Sequence, residues 1–153
     1  MSSTLSPTIR EASPADLPAL IALLDECGLS AHGVLLPGTR YWLAEDGSGA
    51  VVGAVGLEPG TGASLLRSAA VLPARRGAGV GALLARTAIT AGLAHGPGVY
   101  LFSTGAGPYW QRFGFVEVPV PELVAALPEA PQVRYYDEQG WLPTEVAWVL
   151  RRA

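Results

Sequence analysis

The sequence predicts a single-domain α/β fold, and three stretches carry that prediction. In the first, the β-prone run 65–71 passes through Pro73 and a glycine-rich turn into the helical sequence that begins at Ala82. The second is a pair of apolar runs, 41–45 and 50–57, separated by the turn formers Asp46-Gly47-Ser48-Gly49. The third is an amphipathic opening helix over 14–27. Strand and helix patterns alternating in this way argue for a sheet flanked by helices.

In chain order, a short strand at 8–10 comes first. The helix after it has Ser13 at the N-cap, Pro14 where a missing N–H costs nothing, and Asp16 in the first turn near the positive end of the dipole. Leu17, Leu20, Ile21 and Leu24 form its apolar stripe. Residues 28–40, with three glycines and Pro37, read as a long loop or a second short helix. The hairpin 41–57 and a turn at 60–63 lead to the strand 65–71. The helix 82–95 ends at Gly96-Pro97-Gly98. A buried-looking strand at 99–104, a short helix at 108–113, a strand at 115–118, a helix at 121–127 and a final strand at 145–151 complete the list. No repeat or low-complexity linker appears, so residues 1–153 are expected to form one domain.

With 153 residues and 50% hydrophobic content, the chain can build a core without disulfides or metals. Its one cysteine, Cys27, rules out a disulfide framework and points to a reducing compartment. No basic-then-apolar leader opens the sequence and no apolar run approaches the roughly 20 residues that span a bilayer. The expectation is a cytoplasmic protein with no membrane partner. Net charge is -3, unevenly spread: between Pro59 and Val116 lie Arg67, Arg75, Arg76, Arg86 and Arg112 and no acid. That concentration favours a polyanionic ligand near the glycine turn. The acidic balance elsewhere, without a basic-aromatic stripe, argues against nucleic acid. His32 and His95 read as solvated or capping residues, and with Cys27 they show no metal-ligand spacing, so no metal is expected. Tyr135, Tyr136, Trp141 and Trp148 read as core by default, with an acceptor-pocket cover or a homodimer face as alternatives.

The turn itself is the most informative segment. Two arginines are followed by Gly77, Gly79 and Gly81 in alternation, and then by the helix. Alternating glycines allow positive φ and let backbone N–H groups approach a ligand; the helix start adds unpaired donors and a positive dipole end. A phosphate or pyrophosphate suits such a turn. A P-loop is excluded because the chain has no lysine. A dinucleotide fingerprint fits Gly77, Gly79 and Ala82 poorly, since Pro73 to Arg76 intervene and no Asp or Glu lies between Glu58 and Glu117. A plain strand-to-helix connection is the remaining non-functional alternative.

The pattern Arg/Gln-x-x-Gly-x-Gly/Ala, met by Arg76, Gly79 and Gly81 after Val71-Leu72-Pro73, resembles the acyl-CoA pyrophosphate loop of the GNAT superfamily of N-acetyltransferases. Ile9-Arg10-Glu11-Ala12-Ser13-Pro14-Ala15-Asp16-Leu17 is similar to that family's opening strand and helix. Tyr109-Trp110-Gln111-Arg112-Phe113-Gly114-Phe115 resembles its aromatic-Tyr-x-x-x-Gly-Phe segment. The resemblance covers most of residues 8–118. It implies a mixed, mostly antiparallel central sheet with one splayed strand pair, and acetyl-CoA as co-substrate. The backbone of Ala69 and Val71 would then hold pantetheine and the acetyl carbonyl. The N–H groups of Arg76, Gly77, Ala78, Gly79, Val80 and Gly81 would hold the pyrophosphate, with the Arg76 side chain as a further phosphate partner.

Acetyl transfer to an amine needs a base, an oxyanion donor and often an acid for the thiolate. Glu58, the carboxylate nearest the expected cleft, is the candidate base, with a solvated turn residue as its alternative. The oxyanion donor would be a backbone N–H of residues 69–71. Where many family members have a tyrosine acid, this chain has Trp110, which reads as a packing residue. Ser103 and Thr104 could bind substrate or a relay water, or cap the next turn. Arg67, sharing strand parity with Leu65, Ala69 and Val71, either clamps a substrate carboxylate or pairs with Glu58.

Val55-Gly56-Leu57-Glu58 with Leu65-Leu66-Arg67-Ser68 resembles the amino-acid acetyltransferase branch, including members associated with arsenic resistance, although the C-terminal cysteines usual in the latter are missing here. The expected function is therefore direct acetylation of a small amine such as an amino acid. The alternatives are a protein or peptide N-acetyltransferase, and a CoA-binding module with little catalysis.

Overall fold

A computed structural model of the chain describes residues 7–153. Its strands are β1 (Thr8–Glu11), β2 (Arg40–Glu45), β3 (Val51–Pro59), β4 (Ala63–Val71), β5 (Gly98–Phe102), β6 (Val116–Val118) and β7 (Ala147–Arg151). The helices are α1 (Leu17–Glu26), α2 (Val80–His95), α3 (Gly107–Gln111), α4 (Val120–Ala126) and α5 (Pro131–Glu138). The strands form one sheet in the order β1-β2-β3-β4-β5-β7-β6. The pairs β1–β2, β2–β3, β5–β7 and β6–β7 are antiparallel, while β4 and β5 are parallel. The sheet is thus mixed and mostly antiparallel, as expected. Its parallel ladder is brief, running only from Ala63 to Leu65 opposite Gly98 to Tyr100.

The chain gathers into two compact units, Met1–Leu57 with Ser68–Ala88, and Glu58–Arg67 with Ile89–Ala153. In the first, the Asp16 carboxylate accepts the Ser13 N–H at 2.7 Å and two Arg10 N–H bonds at 2.8 Å, which fixes the entry into α1 through a single 3-10 turn. Helix α1 buries Leu20, Leu23 and Leu24 against Tyr41, Leu43, Ala54 and Ala70. Each of those leucines contributes about 2 kcal/mol of apolar burial. The expected stripe is rotated: Leu23 is inside and Ile21 is 42% exposed. Tyr41 lies opposite Gly56 in the β2–β3 ladder, its ring covering the glycine so closely that a Cβ there would lie 2.4 Å from it.

In the hairpin turn the Asp46 carboxylate accepts the Ser48 N–H, the Ser48 hydroxyl and the Ala50 N–H at 2.9, 2.6 and 3.1 Å. Those bonds, chiefly the two from Ser48, hold its pKa down at about 2.

The second unit packs Ala63, Leu65, Tyr100, Ala147 and Val149 from the sheet against Leu123, Leu127 and Val133 from α4 and α5. The His95 ring bonds the Gly60 carbonyl and so ties the end of α2 to the turn between β3 and β4. Helix α5 is an element that the sequence reading missed. Pro131 at its first position and the Val133–Tyr136 spacing are the available signals, but its largely polar make-up gives little periodicity to find. Among the described residues no helix is long and apolar enough to cross a membrane.

Candidate active site

The glycine turn in the first unit is shaped by side chains that hold its flanks and leave its amides open. At the end of β4 the Val71 carbonyl accepts the Arg76 Nε–H at 2.9 Å and the Cys27 thiol at 3.5 Å. Arg75 pairs with Asp46 at the hairpin tip. Gly77 and Gly79 have φ of +87° and +85°, where an L side chain would be strained, and a Cβ at either would meet nothing within 4 Å. Conformation, not crowding, is what requires glycine here. The Arg76 N–H reaches the Pro73 carbonyl at 3.4 Å. Among the described residues the N–H groups of Gly77, Ala78, Gly79, Val80 and Gly81 have no hydrogen-bond partner. Five amides without a partner at the start of a 16-residue helix are an arrangement of the kind that suits an anion. Among the described residues the two terminal nitrogens of Arg76 have no hydrogen-bond partner.

Upstream of the turn, β4 departs from the regular alternation expected of it. Ser68 has φ of +57°, a left-handed conformation in mid-strand that costs about 1–2 kcal/mol for a residue with a Cβ. Its hydroxyl lies 3.4 Å from the Tyr41 hydroxyl. Beyond this kink Ala70 turns inward to the core and Ala69 is exposed. The parity that would place Leu65, Arg67, Ala69 and Val71 on one face therefore fails at Ser68. A kink of this kind re-aims the backbone groups of the residues after it.

In the second unit the structure brings Glu58 and Arg67 together. The Arg67 guanidinium donates to Glu58 Oε2 at 2.9 Å, with side chains 4% and 1% exposed. Glu58 Oε1 accepts the Gln132 N–H at 3.0 Å. Gln132 is the second residue of α5, so Glu58 caps this helix from a distant strand. Both oxygens are therefore engaged by protein donors, and of the two readings of Arg67 the geometry shows the pair with Glu58.

Ser103 serves the following turn. Its hydroxyl accepts the Ala106 N–H at 3.2 Å, its carbonyl accepts the Trp148 Nε1–H at 2.9 Å, and its N–H donates to Val146 at 2.9 Å. Thr104 is exposed. Trp110 is buried, edge-on to Phe115 at 5.6 Å and to Tyr109 at 5.0 Å, consistent with a packing role. Two further polar groups belong to this unit: Tyr136, read from sequence as core, an acceptor-pocket cover or a homodimer face, and Glu145, which the sequence reading did not single out. Tyr136 on α5 is half-buried, its hydroxyl accepting Gln132 Nε2–H at 3.3 Å, and Glu145 precedes β7. Desolvation and then the nearby Glu145 charge raise the Tyr136 pKa; desolvation raises that of Glu145. Finding them from sequence would have required α5, because without that helix nothing sets Tyr136 apart from its aromatic neighbours.

Comparison with known proteins agrees with this fold. Among solved structures the chain is similar to Rv2747 from Mycobacterium tuberculosis, in complex with CoA and NLQ, with a TM-score of 0.72 and 19% identity over 96% of this chain and 100% of that one. It is similar to N-acetylglutamate synthase from Neisseria gonorrhoeae, complexed with coenzyme A and N-acetyl-glutamate, with a TM-score of 0.73 and 21% identity over 96% of this chain but only 35% of that one. A GNAT family acetyltransferase from Brucella melitensis in complex with acetyl-CoA matches with a TM-score of 0.59 and 24% identity over 72% of this chain and 82% of that one. At these identities the likeness is one of fold. No curated protein matches the chain in sequence. The family model described as an acetyltransferase (GNAT) domain matches residues 37–117, more than half of the chain and inclusive of the strand, turn and helix just described, so the chain belongs to the GNAT acetyltransferase family.

Proposed function

We propose that this N-acetyltransferase transfers the acetyl group of acetyl-CoA directly, without a covalent enzyme intermediate, to the amine of a small molecule, with amino acids and their analogues as the leading class. The observation that carries the reading is the run of five unpartnered amides from Gly77 to Gly81, which fits a diphosphate. CoA or acetyl-CoA in the three similar structures supports it. In this reading the backbone at Ala69 and Val71, re-aimed by the kink at Ser68, lies along the pantetheine and the thioester. The Val71 carbonyl is already occupied by Arg76 and Cys27, so any contribution from Val71 comes through its N–H. Glu58 and Arg67 act by fixing α5. Support for an amino-acid acceptor comes from the branch resemblance and from the N-acetyl-glutamate held by the Neisseria enzyme. Cytoplasmic residence is part of the proposal and rests on the cysteine content.

Trp110, in place of the usual tyrosine, favours a second reading as a CoA-binding module with little catalysis. Calorimetry with acetyl-CoA, followed by a thiol-release screen over amino acids, small amines and peptides, separates the readings. Binding with turnover on a small amine is the expected result. Turnover on peptides alone moves the assignment to a peptide N-acetyltransferase, and binding without turnover favours the module.

A further inference from the structure

Where β4 and β5 begin, the second unit contains a cavity of about 320 Å³ that acetyl transfer leaves unused. Ala63, Gly98 and Arg151 stand opposite one another on β4, β5 and β7, and so share one face of the sheet. In the next row Leu65, Tyr100 and Val149 fill that face; here two small residues leave a trough beside Arg151. A Cβ at Gly98 would lie 3.4 Å from the Tyr100 ring, an ordinary contact, so crowding does not require the glycine. Pro97 and Ala126 line the trough with apolar surface.

The polar groups around it are held in place. Glu122 Oε2 accepts the Tyr100 hydroxyl at 3.2 Å and also the Arg151 guanidinium. The Arg152 N–H donates to the Pro97 carbonyl at 2.7 Å, which anchors Arg152 at the rim. The turn that carries Thr61 and Gly62 is fixed by three contacts. Its Gly60 N–H donates to the Ala63 carbonyl at 2.7 Å, and its Gly60 carbonyl is bonded by the His95 ring. The Gly62 carbonyl packs against Gly96 so closely that a Cβ there would lie 2.4 Å from it. Among the described residues the Arg152 guanidinium and the N–H groups of Thr61 and Gly62 have no partner. With Glu122 spent on Arg151, the charged side chains at the cavity carry an uncompensated positive charge on Arg152.

We propose that this cavity binds a small organic carboxylate, its carboxyl group held by Arg152 and the Thr61–Gly62 turn, its apolar body against Tyr100, Pro97 and Ala126. The planar fork of a guanidinium matches a carboxylate through two parallel hydrogen bonds. Amides of a turn that is already fixed add donors at little ordering cost. An inorganic anion would leave the apolar walls uncovered, and an uncharged ligand would leave the Arg152 charge unanswered. The volume lies at the lower end of the roughly 300–1,000 Å³ of small-molecule pockets, which suits a compact acid. Arg151, held by Glu122, forms part of the wall. Every residue of the site belongs to the second unit, and the site does not depend on the acetyl-transfer reading.

The test is calorimetry on the full chain with benzoate as the probe, benzamide as its uncharged counterpart and inorganic phosphate as the bare anion. Benzoate is expected to bind one to one, and the other two at least about tenfold more weakly. Arg152→Gln should weaken benzoate about tenfold, close to 1.4 kcal/mol. Gly98→Val, which fills the trough and keeps both arginines, should abolish binding. Arg134→Gln, at an exposed arginine of α5, and Gly79→Asp should bind benzoate as wild type does. Absence of benzoate binding, equal affinity for benzamide, or phosphate as tight as benzoate overturns the proposal. Undiminished binding in Arg152→Gln or in folded Gly98→Val does so too. Loss in Gly79→Asp would move the carboxylate to the glycine turn, and loss in Arg134→Gln would move it to α5; either overturns the site. Should Gly98→Val fail to fold, Arg152→Gln at its exposed position decides. Acetyl-CoA affinity, measured separately, tests acetyl transfer independently of every one of these outcomes.

Discussion

Arg67 and Glu58 form a buried ion pair at 2.9 Å whose second carboxylate oxygen caps α5 through the Gln132 N–H. Two consecutive strands and a helix more than 70 residues further along the chain are joined by one carboxylate. Removing a single partner strands the other charge out of water, which costs more than the pair itself contributes.

Glu58→Ala should therefore destabilise the protein by about 3–5 kcal/mol in urea denaturation, and Glu58→Leu combined with Arg67→Met should recover most of that. Glu58→Gln separates two roles. A positioning residue loses stability and turnover together, whereas a base loses turnover alone with cofactor affinity nearly intact. Loss of turnover in a variant as stable as wild type would return Glu58 to the chemical step.

Gly79 has φ of +85° in the middle of the amide nest. Gly79→Asp adds backbone strain and a negative charge where a diphosphate is expected. Acetyl-CoA binding should weaken at least about 100-fold, close to 2.7 kcal/mol, by calorimetry. Unchanged affinity would place the diphosphate elsewhere.

Gly56 has no room for a methyl group, because Tyr41 covers it at 2.4 Å from a would-be Cβ. Gly56→Ala should cost about 1–3 kcal/mol of stability by displacing that ring from the core. Chemical denaturation measures it, and a neutral result would mean that β2 and β3 separate more easily than their packing implies.

Asp46 joins the hairpin tip to Arg75, and its pKa is lowered from 3.8 to about 2, first by the Ser48 bonds. A depressed carboxylate stabilises the folded state above its unfolded pKa and ceases to do so as pH falls through its folded one. Wild type should thus exceed Asp46→Ala in urea midpoint at pH 6, and the difference should close between about pH 4 and pH 2. A gap that persists at pH 2 would assign the effect to the turn backbone rather than the charge.

What the sequence by itself determined is what short-range chemistry encodes. Glycine spacing, the proline and the start of α2 made the glycine turn legible, because positive φ and unpaired amides are properties of consecutive residues. The hairpin, most strands and the packing role of Trp110 were legible for the same reason. The tertiary structure alone decided which partner Arg67 takes, that Ser68 breaks the alternation of β4, and that Glu58 caps α5. Each of these depends on groups brought near one another by the sheet order and by α5, and no periodicity along the chain encodes the distance between a strand end and a helix 70 residues later.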